Sequence, residues 1–139
     1  MSVIDWHWTG NIIRANPFFH SQPRYDYALV QVTPNDNKCI FVQLIYIFQV
    51  QHLQNTFNLV LVLLLDLPCL AQHRSRDEAL RLTRLCPRRR SDSIIIDANT
   101  IIRGGLLMLD LESRGGELLV NNFIDEDMWM RLKKIELVT

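Results

Sequence analysis

The chain has 139 residues, 48% of them hydrophobic, and its fifteen basic and fifteen acidic side chains cancel to zero formal charge. That length fits one domain with a real core, and the balance excludes a global attraction for nucleic acid or an anionic membrane, so any such attraction must be local. Three cysteines, Cys39, Cys69 and Cys86, make no CxxC pair and no Asn-x-Ser/Thr site occurs, a usage that points to a reducing intracellular compartment.

Residues 1–24 mix Trp6, Trp8, Phe18 and Phe19 with Gly10, Asn16, Pro17 and Pro23. They show neither helical nor alternating periodicity and read as an irregular N-terminal arm, without the basic start and apolar core of a secretory signal. A first strand, Tyr25–Val32, ends in the turn Thr33–Lys38, where Pro, Asn and Asp supply the turn chemistry.

The stretch Cys39–Val50, CIFVQLIYIFQV, is the strongest strand signal. Read with period two, one face carries Ile40, Val42, Leu44, Tyr46, Phe48 and Val50, and the other Cys39, Phe41, Gln43, Ile45, Ile47 and Gln49. A strand apolar on both faces belongs inside a sheet. At about 40 Å it outruns ordinary strands, so a bend or bulge near Gln43 is expected. Gln51–Thr56 is a polar link, and Phe57–Leu67 is a third strand closed by Pro68, which completes an antiparallel meander. No Asp, Glu, Lys or Arg falls between Lys38 and Asp66. The longest unbroken apolar run there, Leu59–Leu65, is far short of the roughly 20 residues of a membrane helix, so no membrane span is expected.

Composition then changes sharply. Arg74, Arg76, Arg81, Arg84, Arg88, Arg89 and Arg90 stand against only Asp77 and Glu78, a local charge of +5. Such a patch can bind phosphate with steep salt dependence, and these seven arginines are the candidate nucleic-acid-binding residues. No aromatic residue lies between positions 68 and 100 to stack on bases. The competing reading is a solvated edge, or a contact with the acidic stretch 110–127, whose net charge is −5. Leu80, Leu82 and Leu85 suit a strand at about 80–86, although Asp77, Glu78 and Ala79 would suit a helix start.

Ser93–Ile96 reads as a short strand, and Asp97–Arg103 as a helical turn capped by Asp97 and stopped by Gly104-Gly105. Leu106–Leu111 and Glu117–Val120 form a hairpin around Ser113–Gly116. The chain ends in a helix over 125–135, with Asp125 as N-cap, Ile124 and Trp129 as a hydrophobic staple, and an apolar stripe of Met128, Trp129, Leu132 and Ile135. The stripe should lie on the sheet or close the end of a barrel. The expected fold is one mostly β domain over 1–139: an antiparallel meander of about six to seven strands, forming a small, partly closed barrel or strongly bent sheet, with a short C-terminal helix.

Several pieces taken together, PRYDYALVQV, CIFVQLIYIF, LVLVLLLDLP, RDEALRLTRLCPRRRSDSIIIDANTIIRGGLLMLDLE and GELLVNNFIDEDMWMRLKKI, resemble in that order the C-terminal region of fungal transposon proteins of the Plavaka type. The similarity is densest at Pro23–Asp26, from Arg81–Arg84 to Ile101–Gly104, and at Asp125–Arg131, and it spans roughly residues 14–135. The resemblance implies a non-catalytic accessory domain, nuclear in location, with the strand-transfer acids of such transposon proteins lying elsewhere. It assigns no binding residue in this region.

No catalytic or metal site is expected. Asp26, Asp66, Asp97 and Asp110 have no spacing that ties them into a two-metal site. Cys69, His73 and Cys86 offer only one C-x-x-x-H piece where a structural zinc site needs four ligands. Trp6, Trp8, Tyr25, Tyr27 and Asp26 could line a cage for a methylated lysine, but no spacing requires it. No cofactor or small-molecule substrate is indicated. The central strands would aggregate if left at an open edge, so a protein partner or self-association is expected to cover them. DNA is the alternative partner.

Overall fold

β-branched, aromatic and leucine side chains make up most of residues 25–67, and they build the centre of a single large sheet. The computed structural model describes residues 6–8, 11–68, 74–113, 115–121 and 125–138, giving the backbone alone for residues 6–8, 11, 12, 19, 22 and 74.

The N-terminal segment departs from the expected irregular arm. β1 (Trp6–Trp8) pairs with β2 (Asn11–Ile13), and β3 (Ala15–Phe19) with β4 (Gln22–Tyr25). The second hairpin turns at His20 and Ser21, with φ of 46° and 69°, a conformation that side chains larger than glycine adopt only in tight turns of this kind. A register shift between Asn16 and Phe19 breaks the pleat, which is why no alternation shows in the sequence. Ile13 and Ala15 are nevertheless buried.

The meander is as expected: β5 (Tyr27–Gln31), β6 (Lys38–His52) and β7 (Asn55–Asp66) pair antiparallel. β6 and β7 run further than the sequence suggested, so most of the expected polar link is strand, and the turn shrinks to Leu53-Gln54. The rest of the chain forms α1 (Arg74–Ala79), β8 (Leu82–Pro87), β9 (Ile94–Asp97), β10 (Ile101–Gly105), β11 (Leu107–Leu109), β12 (Leu118–Asn121), α2 (Glu126–Leu132) and β13 (Glu136–Leu137). Both signals between 74 and 87 are realised in turn, helix then strand, joined at Arg81 with φ 50°.

Strand order is β10-β5-β6-β7-β8-β12-β11, with β9 also pairing to β7 and β13 lying parallel to the start of β6. The fold is thus mostly β and antiparallel. The pairing path has two ends, β10 and β11, so it does not close into a barrel.

Each face of the sheet carries its own core. The first contains Val30, Ile40, Val42, Leu44, Ile47, Val60, Val62 and Leu64, roofed by Ile13, Ala15, Ala98 and Ile101. The second contains Leu29, Cys39, Phe41, Leu65, Leu85, Leu118, Val120 and Met128. Strict alternation holds along β6 only as far as Leu44. Leu44 pairs with Val62 and Tyr46 with Leu61, so Ile45 is an inserted bulge residue. Beyond it the faces exchange parity, and Ile47 rather than Tyr46 enters the first core.

After β9, Asp97 accepts a hydrogen bond from Asn99 N at 2.8 Å and caps one turn, Ala98–Thr100. The helical turn expected to reach Arg103 stops there, and Ile101–Gly105 is strand. Gly104 and Gly105 are therefore not a helix stop. A Cβ on Gly104 would come 3.2 Å from Ile13 Cγ2, and one on Gly105 would come 3.1 Å from Leu107 Cδ1, so the pair permits close packing over β10. α2 forms as read: Asp125 Oδ1 accepts from Met128 N at 3.0 Å, and Arg103 clamps the Asp125 carboxylate with two bonds of 2.9 Å. Ile124 of the expected staple lies outside the described residues. Met128 is fully buried, with Leu132 and Ile135 packed beside it, so the stripe lies on the sheet. Trp129 stands at the margin, its ring carrying Lys133 Nζ at 4.7 Å and the Arg81 guanidinium at 5.4 Å.

Candidate interaction surface

The fold does not present the seven arginines of the basic stretch as one face. Arg84, on β8, is buried: Nε and Nη2 bond both oxygens of Asp77 at 2.8 and 3.1 Å, and Nη1 bonds Asp110 at 2.6 Å and Glu117 at 2.8 Å. Arg76 reaches Glu112 at 2.9 Å, and Arg88 holds Asp66 through two bonds of 2.7 and 2.8 Å. Arg81 lies over Trp129. Arg89 and Arg90 are exposed and have no carboxylate within ion-pair distance among the described residues. Arg74 opens α1, and its side chain lies outside the described residues. Much of the basic charge is thus turned inward onto the acidic stretch that begins at Asp110.

This cluster sets the local ionisation. The hydrogen bond from Arg84, against the opposing effect of burial, holds the Asp110 carboxyl below its ordinary range. Burial pushes Glu117 up, but hydrogen bonds from Ser113, Arg84 and Cys86 outweigh it and the net direction is down. The hydrogen bond to Asp77 above all, with those to Asp110 and Glu117 and against the opposing effect of burial, holds Arg84 firmly protonated. Burial pushes the Cys86 thiol up to about 11, with Glu117 adding to the effect, so Cys86 is a poor nucleophile at neutral pH.

The other acids considered as metal ligands serve separate structural tasks. Asp26 accepts from Arg14 N and Arg24 Nε, Asp66 binds Arg88, Asp97 caps its turn, and Asp110 faces Arg84. Among the described residues no group of three His, Cys, Asp or Glu is placed to hold a metal ion; Cys69 and His73 lie outside them. Tyr25 packs against the first core and Tyr27 against the second. They therefore look to opposite sides of the sheet and cannot share a cage. The side chains of Trp6 and Trp8 are not among those described.

What the structure does assemble is an apolar surface. Past the Ile45 bulge, Tyr46, Phe48 and Val50 fall on the side of the second core, but α2, β11 and β12 do not reach that far. Their register partners on β7 are Leu61, Leu59 and Phe57, so the six side chains form three rungs of a ladder. Ile95 on β9 pairs with Leu61 and extends the band sideways. Tyr46 and Phe57 are each 43% exposed and Ile95 is 59% exposed. Beyond Ile47 and Val60, the opposite face of the same arm is polar, with Gln49 Nε2 donating to Asn58 Oδ1 at 2.8 Å. A period of two puts Tyr46, Phe48 and Val50 on one face with Ile40, Val42 and Leu44, because it carries no sign of where a bulge falls. Phe57 was the available clue: an aromatic residue beside the hairpin turn, where a half-covered strand would ordinarily be polar.

Comparison of the chain with protein-family models, with curated proteins and with solved structures finds no match in any of the three. Among the described residues no helix is long and apolar enough to cross a membrane.

Proposed function

We propose that this chain is a non-catalytic interaction domain that pairs with a second copy of itself through the apolar ladder of the β6–β7 arm. The observation that carries this reading is the ladder, a contiguous band of aromatic and aliphatic side chains left uncovered at the end of an otherwise well-packed sheet. Its exposed apolar area is on the order of 400–500 Å², within the size of the largest apolar patch on single-chain proteins, which is often functional. With the rim of the hairpin it approaches the roughly 800 Å² per partner of a standard interface. Residues 39–65 contain no Lys, Arg, Asp or Glu. Two copies therefore meet without like-charge repulsion, whereas no feature of the ladder selects a charged partner. The role as an accessory module, nuclear in location and akin to the C-terminal region of fungal transposon proteins, rests on the sequence resemblance. In this reading the bent sheet is a partly closed barrel whose open flank is the docking face.

Size-exclusion chromatography with light scattering tests this directly. The expected mass at tens of micromolar is twice the 16.3 kDa of one chain, falling to a single chain in a Tyr46→Asp/Phe57→Asp variant with unchanged circular dichroism. A wild type that stays monomeric over that range overturns the reading, as does a variant that still dimerises. DNA binding is the second reading, and what favours it is narrower than the whole stretch: Arg89 and Arg90 are exposed and free of acidic partners among the described residues. Two phosphate contacts should give a shallow salt dependence. If DNA anisotropy titrations at two salt concentrations are unchanged by Arg89→Ala/Arg90→Ala, that reading is removed.

A further inference from the structure

We propose that the cavity between β9 and the first face of the meander is a binding site for an elongated, mainly apolar carboxylate. Its volume is about 380 Å³, within the range of about 300–1,000 Å³ typical of small-ligand sites. The cavity follows from the topology. β9 pairs with β7 and β10 pairs with β5, while the single turn Ala98–Thr100 joins them, so no strand fills the space over the sheet. Val30, Val42 and Leu64 of the first core form the floor, and Ile94 and Ile96 form a wall. A floor of this kind favours an apolar body and offers it no hydrogen bonds.

The two ends of the cavity are polar, and Arg88 places a cation at one of them. At one end Arg88 lines the cavity. A guanidinium has five N–H donors, and Asp66 takes those of Nε and Nη2. That clamp fixes the group in place and leaves Nη1 without a partner among the described residues. Arg89 and Arg90 follow in the chain, so this end stays positive despite Asp66 and Asp92. At the other end Asp97 and Thr100 line the cavity, with the Thr100 hydroxyl donating to the Asp97 carbonyl at 2.6 Å. Arg88 N bonds Leu64 O and Asp97 pairs with Leu59, so the two ends stand roughly 17 Å apart along β7. An anionic head is drawn to the Arg88 end, which gives a single orientation. A medium-chain fatty carboxylate has the matching length and chemistry.

The site and the dimer face lie on opposite sides of the sheet, so the two proposals fail independently. The test is methyl NMR on the full chain, titrated below micellar concentration with decanoate and, separately, with decanol. Saturable shifts are expected at Val30, Val42, Leu64, Ile94 and Ile96. Decanoate should bind about tenfold or more tightly than decanol, as a charge-assisted Arg–carboxylate bond predicts. Arg88→Gln should abolish that preference. Ile94→Trp, at an exposed position that tolerates a larger side chain, should block both ligands. Tyr46→Asp/Phe57→Asp should bind as the wild type does. The proposal is overturned by an absence of saturable shifts, by shifts confined to the β6–β7 ladder, or by equal affinity of the wild type for the acid and the alcohol.

Discussion

Replacing Arg84 with alanine is expected to lower the free energy of unfolding at pH 7 by about 3–5 kcal/mol, a large share of the roughly 5–15 kcal/mol available to a domain of this size. The guanidinium ties α1 to β8 through Asp77, and both to the turn between β11 and β12 through Asp110 and Glu117. Asp77 and Asp110 are themselves buried. Removing the cation leaves carboxylates facing one another with little water, which costs far more than the net contribution of an ion pair. The pH dependence gives a second signature. In the wild type Asp110 and Glu117 titrate below their ordinary values, so the unfolded chain binds more protons near pH 4. The contribution of the cluster is therefore complete above that range and is lost as pH falls through the depressed folded-state values. In Arg84→Ala the same carboxylates repel one another, and protonation relieves them. The gap between the two proteins should narrow between pH 7 and pH 3 in urea denaturation. A loss at pH 7 of under about 1 kcal/mol would show that the cluster is solvated in a way its burial does not suggest.

The meander and the terminal helix were legible because each signal is local. Turn residues bracket β5 and β6, β-branched runs fill the strands, and Asp125 caps a short amphipathic stretch. The arginine cluster was half legible: opposite charge on 74–90 and 110–127 suggested contact, but not that Arg84 alone would go inside. That choice depends on β8 lying between β7 and β12, a long-range pairing with no local mark. The exposed ladder was illegible for a different reason. The bulge was expected near Gln43 and sits at Ile45, and a displacement of two residues matters little for the bend. The consequence lies in parity, since every side chain after the bulge changes faces. The hairpin at residues 15–25 was hidden by the same device, a shift between Asn16 and Phe19.

The bulge also sets two phenylalanines of one strand apart, and this yields the second large effect. Phe41 and Phe48 differ in parity yet look to the same side of the sheet. Phe41 is 1% exposed, with Leu29 and Leu65 as its register partners, and Gly105 leaves room for its ring: a Cβ there would stand 3.5 Å from Phe41 Cε1 and 3.7 Å from Met128 Cε. Truncation leaves a hole that strands on both sides prevent from collapsing. Phe41→Ala should therefore cost about 3–5 kcal/mol. Phe48 stacks on Tyr46, centroids 5.7 Å apart, in a row that solvent reaches. Phe48→Ala should cost about 1 kcal/mol or less in the monomer. Self-association changes the second value and leaves the first nearly alone, because only Phe48 lies at the face a second copy would cover. Urea denaturation at two protein concentrations separates the cases. The cost of Phe48→Ala should rise with concentration as the dimer populates, and that of Phe41→Ala should stay constant. Equal and concentration-independent losses at both sites would mean that Phe48 is already covered within one chain, and the ladder would then no longer be a surface.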